Sequence, residues 1–82
     1  MERHSDAYYR IKDELAAKTR IVAEDADFIG VYSTVERIAV ALLLNRLDLL
    51  PSGYTHVVEA WDRLGKDWQQ LVVDLHNEGW DR

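Results

Sequence analysis

The sequence predicts an all-α fold: a compact four-helix bundle forming one domain over residues 1–82. Three observations carry that expectation. Apolar residues recur at helical spacings in four segments, about 6–23, 34–49, 54–64 and 67–78. Four Gly and one Pro are too few for a many-turned β architecture. A chain of 82 residues, 48% hydrophobic and 30% charged, suits a single small core.

The first helix opens after Ser5 and Asp6, residue types that cap a helix by accepting from its free backbone N–H groups. Tyr8, Ile11, Leu15 and Val22 then follow at steps of 3, 4 and 7, one stripe of a 3.6-residue helix, with Thr19 filling the gap. Glu14 and Lys18 stand at i,i+4 on the outer side, in the favourable order for an ion pair. The acids Glu24, Asp25 and Asp27 oppose the negative end of the helix dipole and close the segment near Ala23.

Phe28 to Tyr32 reads as an apolar connector laid across the core, with Gly30 allowing a bend. Its aromatic and β-branched content has no second strand-like run to pair with. Continuation of the first helix is the alternative.

Ser33 and Glu36 match a capping box, hydroxyl and carboxylate each satisfying the other's backbone N–H. The helix that they open is apolar on every face from Ile38 to Leu44 and is expected to run to about Leu49. Such a helix needs cover all round. Three neighbouring helices barely provide it, so the excess predicts a homodimer, with Leu43 and Asn45 as the candidate dimer or register positions. A polar residue in an apolar seam can fix register.

Pro51, Ser52 and Gly53 form a turn, with Pro51 expected at its second position. Tyr54, Val57, Val58, Trp61 and Leu64 make the inward stripe of the third helix, and Gly65 caps it. Asp67 opens the last helix, whose stripe is Trp68, Leu71, Val72 and Leu75, and Gly79 closes it. The short link at Leu64 to Lys66 predicts an antiparallel helical hairpin.

Charge narrows the function classes. The formal net charge is −5 and the pI near 5.0. Residues 1–22 carry five bases against four acids, a net of +1, and residues 23–82 carry five against eleven, a net of −6. That sign disfavours phosphate backbones and anionic membranes, so neither nucleic acid nor membrane is an expected partner. The longest apolar run, Ile38 to Leu44, is far below the roughly 20 residues that span a bilayer. The start of the chain is polar, with no signal-peptide core, and a cytoplasmic location is expected.

Chemistry-bearing patterns are sparse. With no Cys there is no thiolate metal site or thiol nucleophile. His56 and Glu59 share a helical face, but on the polar side and without the further ligands that a metal centre needs. Glu24, Asp25 and Asp27 have no nucleophile or base beside them. The four glycines are isolated, so no phosphate-cradling loop exists. A third helix carrying Glu59 and Asp62 against Arg63 alone has the wrong sign for a DNA recognition helix. No catalytic residue, metal or cofactor is expected.

One polar pattern stands out. Asp67, Asp74, Glu78 and Asp81 fall within about 60° of arc on the last helix, an acidic face beside the apolar stripe. Trp80 lies past Gly79, where it is either an interface anchor or a cap folded onto the bundle. These residues predict a small acidic non-enzymatic protein-interaction module, an inhibitor or adaptor that docks on a basic partner surface. A phage- or mobile-element-encoded inhibitor fits such a chain. The alternative is a ligand-binding or catalytic helical bundle with a small-molecule site near Asn45.

Overall fold

The computed structural model describes residues 5–81. Three α-helices, α1 (Asp6–Glu24), α2 (Thr34–Leu43) and α3 (Val57–Glu78), are joined through two 3-10 helices, Ala26–Val31 and Leu47–Leu49. At Gly65 (φ 76, ψ 168) α3 leaves helical geometry and divides into two arms, 57–64 and 66–78. The fold is the small all-α bundle that the periodicities predict, with no strand among the described residues.

The core is built from one face of each helix. Leu15, Thr19 and Val22 of α1 meet Ile38, Ala39, Val40 and Ala41 of α2, and Ala60, Leu64, Leu71, Val72 and Leu75 of α3 close over them. Thr19 belongs in this stripe because its hydroxyl donates to the Leu15 carbonyl at 2.7 Å, so no polar atom is stranded there. Residues 38–41 are fully buried by the chain's own α1 and α3. The cover expected from a second copy is therefore supplied within one chain. Leu43 is 7% exposed and belongs to the same core, not to an outer seam.

Capping explains most boundaries. The Ser5 hydroxyl accepts from the Tyr8 N–H at the start of α1. The capping box at α2 is complete: Ser33 Oγ accepts from the Glu36 N–H, and Glu36 Oε1 accepts from the Ser33 N–H. Glu36 also binds Lys18 of α1, so Lys18 bridges two helices instead of pairing with Glu14. Gly79 N–H donates to the Leu75 carbonyl and ends α3.

Three boundaries differ from expectation. First, α2 stops at Leu43, not near Leu49. Asn45 adopts φ 54, Asn45 N–H reaches the Leu42 carbonyl and Arg46 N–H the Ala41 carbonyl, a Schellman closure built on a left-handed Asn. Second, α3 starts at Val57, because Tyr54 N–H closes a turn onto the Pro51 carbonyl with Gly53 at φ 94. Pro51 occupies the first position of that turn, and glycine supplies the positive φ that a type II geometry needs third. Third, the two arms of α3 meet at a one-residue kink, without the loop that joins a helical hairpin.

The connector is a 3-10 helix. Asp25 caps it, its carboxylate accepting from the Asp27 N–H at 3.1 Å. In this geometry residues i and i+3 eclipse. Ala26, Ile29 and Tyr32 form the row turned to the core, and Asp25, Phe28 and Val31 form a row turned to solvent.

Candidate functional site

The acidic face predicted on the last helix does not survive folding as one surface. Asp74 is only 5% exposed. It accepts from the Tyr8 hydroxyl through Oδ2 and from Gln70 Nε2 through Oδ1 at 2.9 Å. One turn on, Glu78 accepts from Lys12 Nζ at 2.9 and 3.0 Å. The Lys12 ammonium also lies 5.9 Å from the Tyr8 ring centroid and 5.2 Å from that of Tyr9. The physical reason is that the acidic arc overlaps the edge of the Leu71/Leu75 stripe, and α1 packs across that edge. Asp67 and Asp81 are exposed at either end.

Trp80 is half-buried against the core, and its carbonyl accepts from Arg20 at 2.9 Å. It folds back onto the bundle as a cap. Trp61 and Trp68 are likewise half-buried against the core. Asn45 is exposed and lines none of the depressions described below, so its expected place inside a seam or beside a small-molecule site is replaced by the turn that ends α2. His56 is exposed at the start of α3, and no cluster of three metal-ligating side chains exists among the described residues.

Two apolar surfaces that the sequence did not single out remain open. The first lies on the outer side of α3. Its first arm buries Ala60 and Leu64, and Val58 falls about 120° from Leu64 around the helix axis. Val58 is therefore 66% exposed, while Val57, on the Leu64 side but in the first turn of the arm, is 44% exposed. With Leu42 and Trp61 they line an open depression of about 370 Å³. Glu59 and Asp62 are exposed on the same arm. The expected inward stripe holds at Tyr54, Trp61 and Leu64, which face the core with the small Ala60, and fails at Val57 and Val58.

The second surface is the outward row of the 3-10 helix. Phe28 is 49% and Val31 76% exposed, and with Asp25 and Asp27 they line a depression of about 260 Å³. The apolar run at 28–32 hid this division. A period of three, with Ala26, Ile29 and Tyr32 in and Phe28 and Val31 out, was the signal that distinguishes it from a uniformly buried connector.

Electrostatics inside the fold stabilise helix junctions. Burial of Glu36 opposes its ionisation, but hydrogen bonds from Lys18 and Ser33 and the Lys18 charge outweigh it and hold the carboxyl below its ordinary value of 4.5. Asp48 is held low by hydrogen bonds from Arg46, a local pair beyond the end of α2. No helix of the described residues is long and apolar enough to cross a membrane. No protein-family model, curated protein or solved structure matches the chain.

Proposed function

We propose that this chain is a small non-enzymatic protein-interaction module, an inhibitor or adaptor that docks on a basic partner surface. The observation that carries the reading is the open depression lined by Leu42, Val57, Val58 and Trp61 on the outer side of α3. Exposed β-branched side chains grouped around a Trp are costly in water and gain most from being covered by another protein. The exposed acids Glu59 and Asp62 outnumber the one base of the same arm, Arg63, and with the net charge of −5 give that partner its sign. The contact surface thus moves from the C-terminal carboxylates to the first arm of α3.

The test is affinity capture from the source cell with the intact chain and with Val58→Asp, each checked for helical circular dichroism. Val58 is exposed, so the variant is expected to fold. A basic protein captured by the parent and lost in Val58→Asp supports the reading. Equal capture by both forms removes it.

A further inference from the structure

We propose that the outward row of the 3-10 helix Ala26–Val31 is a second, independent docking surface, and that its occupant is a cationic amphipathic segment of another protein. The 3-10 register turns Phe28 and Val31 away from the core and places them beside the carboxylates of Asp25 and Asp27 in one depression.

Charge selects the occupant. From Ile21 to Glu36 the chain has four carboxylates and no Lys or Arg. Glu36 is paired with Lys18, which leaves Glu24, Asp25 and Asp27 exposed against two flanking cations, Arg20, whose guanidinium donates to the Trp80 carbonyl, and half-buried Arg37. The surface is therefore an apolar floor beside a local excess of negative charge at Asp25 and Asp27. A second copy of the chain would bring like charges together, and lipid phosphates or nucleic acid would be repelled. A segment with one or two apolar anchors flanked by Lys or Arg satisfies both features, the anchor seated against Phe28 and Val31 and the cations beside Asp25 and Asp27. With the α3 surface, this gives the module two faces.

The probe is a labelled synthetic Leu/Lys amphipathic peptide, run beside a Leu/Glu and a Ser/Lys counterpart and read by fluorescence anisotropy at several salt concentrations. The Leu/Lys peptide should bind selectively, and binding should weaken as salt rises. Phe28→Ser with Val31→Ser should cost at least about tenfold in affinity. Asp25→Asn with Asp27→Asn keeps the cap acceptor and should also weaken binding about tenfold while flattening its salt dependence. Asp27→Asn alone serves should the double variant lose helicity. Because the α3 surface fits the same probe, each affinity is also measured in the Val58→Asp background: a loss at Phe28 and Val31 that persists there belongs to this surface, and one that vanishes assigns the peptide to the α3 surface and overturns the proposal. The proposal is overturned by absent binding, by equal binding of the Ser/Lys peptide, or by affinity indifferent to these variants. A dimer in sedimentation that Phe28→Ser with Val31→Ser dissolves also overturns it, assigning the surface to a second copy.

Discussion

Tyr8 of α1 donates its phenol hydrogen to the carboxylate of Asp74 on α3, 66 positions away, and Lys12 reaches Glu78 at the same offset one turn later. Both pairs advance by four residues, so α1 and the second arm of α3 run side by side in the same direction. Local propensity does not impose that arrangement. The shared apolar core brings the two helices together, and the buried Tyr8–Asp74 clasp sets their register.

The clasp makes Asp74 unlike its acidic neighbours. Tyr8→Phe removes the hydroxyl donor to a buried carboxylate and should destabilise the fold by about 1–3 kcal/mol in urea melts. Asp74→Lys should cost more, because it sets a cation among apolar residues. Asp81→Lys, at an exposed position, should stay within about 0.5 kcal/mol of the parent. An Asp74→Lys variant as stable as Asp81→Lys would show that the clasp is not formed.

Asn45 ends α2 through its left-handed backbone. Asn45→Gly should match or exceed the parent in thermal stability, since glycine adopts φ 54 without a steric cost. Asn45→Val should lose about 1–2 kcal/mol, because a β-branched residue resists that conformation. Thermal melts of the two variants read the difference directly.

Two glycines should respond in opposite directions to Ala. A Cβ at Gly30 meets nothing within 4 Å and its φ is not in the left-handed range, so Gly30→Ala should gain about 0.4–1 kcal/mol by restricting the unfolded chain. Gly65 sits at φ 76 at the kink of α3, and Gly65→Ala should lose about 1–2 kcal/mol. Chemical denaturation of both variants checks the sign.

The Lys18–Glu36 bridge gives the fold an acid limit. Glu36 is lowered in the folded state, so the unfolded chain binds its proton first as pH falls. The stability it contributes is fully present above its ordinary value of 4.5 and is lost as pH drops through the depressed folded value. Glu36→Gln should flatten that part of the pH–stability curve while leaving the neutral and alkaline side parallel to the parent.

What the sequence made legible was local. The Ser33–Glu36 box depends on a spacing of three and is found as read, as are the Ser5 cap and the Gly79 stop. Misreadings arose where tertiary packing decides. Helical arithmetic correctly grouped Asp67, Asp74 and Glu78 on one arm, but Asp81 lies beyond the Gly79 stop, and the arithmetic does not say which flank α1 covers. Asn45 follows a seven-residue apolar run, and nothing in its own type separates a helix-interior amide from a left-handed terminator. Val57 and Val58 stand beside a stripe that Tyr54, Trp61 and Leu64 do turn to the core, and spacing alone does not say how far along the first turn that cover reaches.

The three-row register of the connector separates two kinds of selection. Ala26, Ile29 and Tyr32 answer to the interior, so changes there are screened by folding. Phe28 and Val31 stand on a different row and contribute little to the core. Substitutions in that outer row can accumulate almost neutrally with respect to stability. If the proposed docking role holds, a lineage carrying this chain could exchange one recognised segment for another through residues 28 and 31 while keeping its scaffold intact.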